Sequence, residues 1–274
     1  MCGAAALTVE RAIHTLQGDP EVVLMSCGRC RATSVSRLPT STALDDYYGS
    51  YYDDARVDAV TTDDPARIAR RIASYAAGNS DVDLLDFGGG DGSIGVEVLK
   101  RLGVGGSVTV VDYDHRRSAT TPAGVRLTHA SELGDVEGTF DLVVASAVIE
   151  HLPHPSVALQ DLLAKVSIGG VFYARTPFVV PVTRAAGRVG VHIDFTFPAH
   201  LFDLGPDFWG GLTSWIPSFG DFDVIASRPS PVETGLRSHP TRTVASTLMK
   251  LPWWVLRERW PFVGGWELAA RRVR

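Results

Sequence analysis

Four glycines in five positions, Gly88, Gly89, Gly90 and Gly92, separate an apolar segment, Asp83 to Phe87, from an amphipathic one, Ser93 to Leu102. The first reads as a short buried strand; the second places Ile94, Val98 and Leu102 on one face of a helix. A strand that turns through such a loop into a helix brings bare backbone close to a ligand and tolerates positive φ. The helix beginning near Ser93 also offers unpaired N–H groups to a polar ligand. The spacing departs from the dinucleotide fingerprint, because Gly88 and Gly90 are followed by Ser93 where the third glycine would stand. Asp86 is poorly suited beside a pyrophosphate and well suited to a ligand carrying an amino group.

The same alternation extends on both sides. Upstream, Asp64 can cap a helix, Pro65 suits its first turn, and Ile68, Ile72 and Tyr75 share its stripe. Downstream, strands are expected at Ser107 to Val111, Val125 to Thr128 and Phe140 to Ala145, then a helix opening at Pro155, then a strand at Val171 to Ala174 after the Gly169-Gly170 turn. Connections of this length between parallel strands cross over and cover both faces of the sheet, which predicts a three-layer α/β sandwich. Beyond Pro177 the pattern loosens into a stretch with Phe195, Phe197, Phe202, Phe208, Trp209 and Trp215. Within and after it we expect a short helix at Pro198 to Leu204, a strand near 221–228, a helix within Val244 to Arg257 and a terminal strand at Trp266 to Arg271. At the other end, Thr8 to Leu16 is expected as a short helix, followed by the apolar run Val22 to Met25, a Cys27-Gly-Arg-Cys30 turn and a patch of Tyr47, Tyr48, Tyr51 and Tyr52.

Composition narrows the functions such a fold can serve. At 274 residues the chain suits one main core with an appendage. Its net charge of −5 is too mild for a protein that coats duplex nucleic acid, so no nucleic-acid partner is expected. No apolar run approaches the ~20 residues that cross a bilayer, so no membrane partner is expected either. Three cysteines give no disulfide framework and fit a reducing compartment, with cytoplasm the expected address. A monomer or a homodimer is expected.

Asp112 ends the second sheet strand, where a carboxylate can accept hydrogen bonds from a ribose diol, and Tyr113 beside it can cover a flat base. Leu84-Leu85-Asp86-Phe87-Gly88-Gly89-Gly90-Asp91-Gly92 resembles the first motif of the class I S-adenosylmethionine-dependent methyltransferases. The resemblance continues at 128–133, similar to the adenine-contacting segment, and at Thr139-Phe140-Asp141-Leu142-Val143. It continues again at Ile149-Glu150-His151-Leu152-Pro153, an acidic-His-apolar element, and at Ile168-Gly169-Gly170-Val171-Phe172. It implies a Rossmann-like sandwich with a mostly parallel seven-stranded sheet and an antiparallel terminal strand, and S-adenosyl-L-methionine as cofactor. By the same resemblance the cofactor side comprises Asp86 near the amino group, Gly88, Gly89 and Gly90 along the methionine portion, Asp112 on the ribose, and Tyr113, Ser131, Glu132 and Ser146. One departure is visible. The segment Asp114 to Val125 has room for barely a turn or two where the family usually carries a full helix.

The leader is similar to that of methyltransferases with a Cys-x-x-Cys ahead of a proline and a tyrosine-rich stretch, here Cys27, Cys30, Pro39 and the tyrosines. Some such relatives bind zinc through two pairs; this chain has one, with Cys2 and His14 as candidates to complete four ligands, and no metal is assigned. The chain therefore divides into a leader or lid at 1–62 and a methyltransferase domain at 63–274, with an acceptor-site insertion about 176–220 and an excursion about 229–260. For the acceptor side, His192 and Asp194 can sit on one side of an extended segment, the carboxylate fixing the imidazole's tautomer. His151 is either a general base or a cap for its loop, and Glu150 orients cofactor or histidine or faces solvent. Tyr48, Tyr51, Tyr52, Phe178, Phe195 and Trp209 either wall an acceptor pocket or pack the core. The expected activity is methyl transfer to a small-molecule acceptor, such as a sugar or another secondary metabolite. The alternatives are a non-catalytic S-adenosylmethionine-binding regulator and an NAD-dependent oxidoreductase.

Overall fold

The computed structural model describes residues 7–13, 22–40, 42–44, 46–47, 65–76, 81–113, 118–191, 195 and 197–274. Seven strands form the main sheet: β4 (Asp81–Phe87), β5 (Gly105–Val111), β6 (Val125–Ala130), β7 (Phe140–Ser146), β8 (Val166–Phe178), β10 (Phe222–Pro229) and β11 (Gly264–Arg272). Their spatial order is β10-β11-β8-β7-β4-β5-β6. The five strands from β6 to β8 run parallel, and β11 inserts antiparallel between β8 and β10. The mostly parallel Rossmann-like sheet with an antiparallel terminal strand is therefore what the sequence led us to expect.

Successive side chains on a strand point to opposite faces, and the core divides accordingly. Leu84, Leu142 and Val144 pack with Ile68 and Ile72 of α1 (Pro65–Ala73) and Val98 and Leu99 of α2 (Ser93–Leu102). Leu85, Val143 and Ala145 pack on the other face with Leu159, Leu162 and Leu163 of α3 (Pro155–Ala164). The chain order reverses at β4: β5 and β6 build outward on one side, β7 and β8 on the other. The crevice beyond the carboxyl ends of β4 and β7 is thus the switch point where ligands bind in open α/β sheets.

A second, four-stranded sheet packs beside β8 and the turn after β7 through its last strand. It joins β1 (Leu7–Ile13), β2 (Val22–Cys27) and β3 (Thr33–Val35) to the two-residue β9 (Phe202–Asp203). The helix expected at Thr8 to Leu16 is instead the strand β1, antiparallel to β2 with an irregularity between Val9 and Arg11. Its β-branched Thr8, Val9 and Ile13 match a partner strand, and pairing overrides the helical spacing. The short helix expected at Pro198 to Leu204 is also absent. Its backbone is committed across the chain: Leu201 N–H donates to Glu150 O at 2.8 Å, and Leu201 O accepts from Val35 at 3.0 Å.

The aromatic stretch holds two helices that the sequence did not signal, α4 (Val180–Arg188) and α5 (Pro206–Gly210). The start of α4 is capped from a distance, Asp203 accepting from the N–H groups of Val179 at 2.7 Å and Val180 at 3.1 Å. The C-terminal excursion carries α6 (Pro240–Lys250) and α7 (Trp253–Leu256). Cys27 and Cys30 are buried thiols in the core that also holds Leu204, Phe208 and Trp209. Among the described residues no helix is long and apolar enough to cross a membrane.

Candidate active site

The glycine loop closes the carboxyl end of β4. Gly88, Gly90 and Gly92 have φ of 70°, 58° and 83°, values that L side chains adopt at a cost. A Cβ on Gly88 would lie 2.5 Å from Val148 Cγ2, and one on Gly89 would lie 2.4 Å from Asp86 Cγ. The loop therefore rests on Asp86 from above and against the turn after β7 from the side. Gly88 N–H donates to Val111 O at 2.8 Å, and Gly90 N–H to Asp112 Oδ2 at 2.8 Å. Asp112 thus links the end of β5 to the loop, and its own N–H reaches Ala130 O at the end of β6. The segment expected to lack a full helix has none at 118–122, and Ala119 N–H donates to Asp91 O at 2.7 Å.

Asp86 is 1 % exposed. Its carboxylate accepts from the backbone of Gly95 in the first turn of α2, yet Oδ2 has no hydrogen-bond partner. Burial, reinforced by the nearby carboxylates of Asp112 and Asp91, pushes its carboxyl up to about 7. A buried carboxylate oxygen without a donor, beneath a loop too tight for side chains, fits a cationic group lying over it and does not fit a pyrophosphate. Of the other cofactor-side candidates, Tyr113, Ser131 and Glu132 are exposed at the carboxyl ends of β5 and β6. Ser146 is buried, its Oγ accepting from Arg175 Nε at 2.6 Å. Arg175 in turn pairs with Glu233 at 2.5 Å.

The turn after β7 carries Glu150 and His151. Glu150 is 1 % exposed, and burial pushes its carboxyl up to about 8 against the opposing pull of Arg175. His151 Nδ1 lies 2.9 Å from Ala199 O, and its Nε2 lies 3.8 Å from Glu150 Oε1. Burial first, then neighbouring His200, lowers His151 to about 3; burial lowers His200 to about 4. Both imidazoles are neutral near pH 7. The structure thus brings Glu150 and His151 together with His200, a residue the sequence reading missed. The sequence did hold a signal for it, since His200 sits among Phe195, Phe197 and Phe202 as His192 does among its own aromatics. His192, Asp194, Tyr48, Tyr51, Tyr52, Cys2 and His14 lie outside the described residues. Phe195 and Trp209 are buried core residues, and Phe178 is half-buried.

A model of the family described as a methyltransferase domain matches residues 60–204, just over half of the chain. The chain belongs to the methyltransferase-domain family. No curated protein sequence matches it. Among solved structures, this methyltransferase domain is similar to a chain in the Haloferax volcanii complex of the Trm112 methyltransferase activator with a protein described as a methyltransferase. That match has 12 % identity over 83 % of this chain and 98 % of that one, with a TM-score of 0.55. It is also similar to the cyclase SpnF, at 14 % identity over 86 % and 97 % of the two chains, TM-score 0.52. A third is the Burkholderia thailandensis 1,6-didemethyltoxoflavin-N1-methyltransferase with bound 1,6-didemethyltoxoflavin and S-adenosylhomocysteine, at 14 % identity over 97 % and 100 %, TM-score 0.50. At these identities the likeness is one of fold. Proteins described as a cyclase and as methyltransferases share this fold, so the fold alone does not fix the reaction.

Proposed function

We propose that the chain uses S-adenosyl-L-methionine to methylate a small molecule, a sugar or another secondary metabolite. The observation that carries this reading is the unpartnered, buried Oδ2 of Asp86 beneath the glycine loop. In it, Asp86 faces the ammonium of the methionine portion, Gly88 to Gly90 give backbone room, and Asp112 takes the ribose hydroxyls. Tyr113, Ser131 and Glu132 border the base, and Ser146 fixes Arg175 at the edge of the site. S-adenosylmethionine supplies an activated methyl on a sulfonium with a good leaving group.

The protein's part is to bind, align and exclude water. Glu150, His151 and Arg175 line the carboxyl ends of β7 and β8, where an acceptor would meet the methyl donor. His192 and Asp194 are proposed on the acceptor side from their sequence pattern alone. The leader at 1–62 is proposed to cover the site from the four-stranded sheet, with 63–274 as the catalytic domain.

Calorimetry with S-adenosylhomocysteine and with NAD tests the cofactor. Binding of S-adenosylhomocysteine that is abolished by combining Asp86→Ala with Asp112→Ala is the expected result; binding of NAD alone would overturn the reading. Incubation with methyl-labelled donor and small-molecule extracts then separates an enzyme from a regulator, since a regulator labels nothing.

A further inference from the structure

We propose that Glu150, His151 and His200 form a binding site for one divalent metal ion of the zinc type, on the acceptor side of the crevice. One ligand atom from each of the three lies within 4.8 Å of the other two. The two imidazole rings stand 4.9 Å apart at 65°, so they converge without stacking. Glu150 is almost completely buried, yet its Oε2 has no hydrogen-bond partner.

The tautomers sharpen the argument. A backbone carbonyl can only accept, so Ala199 O requires the proton of His151 on Nδ1 and leaves Nε2 with its lone pair facing Glu150 Oε1 at 3.8 Å. His200 likewise is bonded to the backbone of Phe195. An imidazole lone pair and a carboxylate are both acceptors, and facing one another is favourable only with a proton on the carboxyl or a positive ion between them. A proton can join one such pair; a metal ion can join three donors. Two imidazole nitrogens and one carboxylate are the donor set of catalytic zinc sites that keep an open position. A histidine ligand whose other nitrogen donates to a backbone carbonyl is the usual outer-shell arrangement. Zinc with ligands at about 2.0–2.1 Å in a tetrahedron needs its donors about 3.4 Å apart, so side-chain rotations must draw the three in from separations of 3.8 Å for the His151–Glu150 pair and up to 4.8 Å across the cluster.

The backbone holds the three together. Leu201 N–H donates to Glu150 O at 2.8 Å, which ties the His200 segment directly to the turn after β7. Val148, two residues before Glu150, packs against the glycine loop at Gly88, so the ion would share a crevice with the cofactor. His151 and His200 are half-buried where Glu150 is almost completely buried, so the cluster is reached through its histidines. The role of the ion rests on the methyl-transfer reading above: it would bind an acceptor oxygen, draw the acidity of its hydroxyl toward neutrality and favour acceptors with two adjacent oxygens.

The test begins with chelator-stripped protein. Zinc binding is measured by equilibrium dialysis with elemental analysis, and cobalt(II) is used as a visible-spectrum probe. The expected result is one zinc per chain at micromolar metal and a cobalt spectrum of a four- or five-coordinate nitrogen and oxygen site. Glu150→Gln and His200→Gln should each weaken binding by more than the roughly 10–100-fold that loss of an outer-shell partner costs. Failure to bind zinc, or binding unchanged in both variants, would overturn the proposal. Thermal melts in chelator identify any variant that has failed to fold; if either does, Glu150→Asp replaces it, and its binding unchanged counts against the site in the same way. S-adenosylhomocysteine titrated in chelator tests the cofactor reading independently, so a chain that takes the nucleoside and no metal overturns only the ion.

Discussion

Asp86 shows how one side chain can be costly to the empty protein and useful to the loaded one. Its carboxyl titrates near 7 in the folded chain and near 3.8 when exposed. Between these values the folded chain holds a proton that the unfolded chain has released, so stability falls as pH rises from about 4 to about 7. Above that window the loss reaches up to about 4 kcal/mol. Asp86→Asn should remove this slope: thermal melts of the ligand-free variant should exceed those of the parent at pH 8 and converge with them below pH 4. Its affinity for S-adenosylhomocysteine should fall well below the parent's at pH 8 and approach it at low pH, where Asp86 is itself neutral. For the parent, affinity should climb as pH rises through 7, and titrations in buffers of different ionisation enthalpy should show a proton released on binding.

The loop between β4 and α2 is legible in the sequence itself, because glycine spacing and flanking periodicity are local properties of the chain. What the sequence did not hold was the reason for Gly88 in particular, which is Val148, a residue sixty positions away brought alongside by the β4–β7 pairing. Gly88→Ala adds a left-handed alanine and a Cβ only 2.5 Å from Val148 Cγ2, together costing about 2–5 kcal/mol by urea unfolding. Adding Val148→Ala removes Cγ2 but leaves Val148 Cβ at 2.7 Å, so it should recover only part of the steric cost and none of the backbone cost, and a double-mutant cycle should show that partial coupling. The same distinction explains the errors elsewhere. His200 meets Glu150 and His151 because its neighbours are tied there, Ala199 O to the His151 ring and Leu201 N–H to Glu150 O, and β1 is a strand because β2 lies beside it. Helix α4 went unnoticed since its capping carboxylate, Asp203, arrives from a later strand. The α/β frame, by contrast, followed from alternation that each segment carries for itself.

Across the whole molecule, one buried carboxylate joins helix α1 and the turn after it to the last two strands. Glu267 on β11, fully buried, accepts from Tyr75 at 2.8 Å, Tyr173 at 3.0 Å and Arg228 Nε at 2.9 Å, and lies 3.3 Å from Arg71. Removing one partner of such a network strands the others in the interior, so Glu267→Ala should lose about 3–5 kcal/mol in equilibrium unfolding. Because this network lies on the α1 face, away from the crevice, S-adenosylhomocysteine affinity below the melting transition should hardly change. The four-stranded sheet spans a comparable distance in the chain. Its β3–β9 pairing joins residues about 170 positions apart. During synthesis, the early hairpin must wait for β9 to emerge, by which time every strand of the parallel centre has left the ribosome. The four-stranded sheet therefore closes after the five parallel strands and before β10 and β11, and a chain halted before residue 203 holds the parallel centre while lacking both β9 and the antiparallel edge of the main sheet.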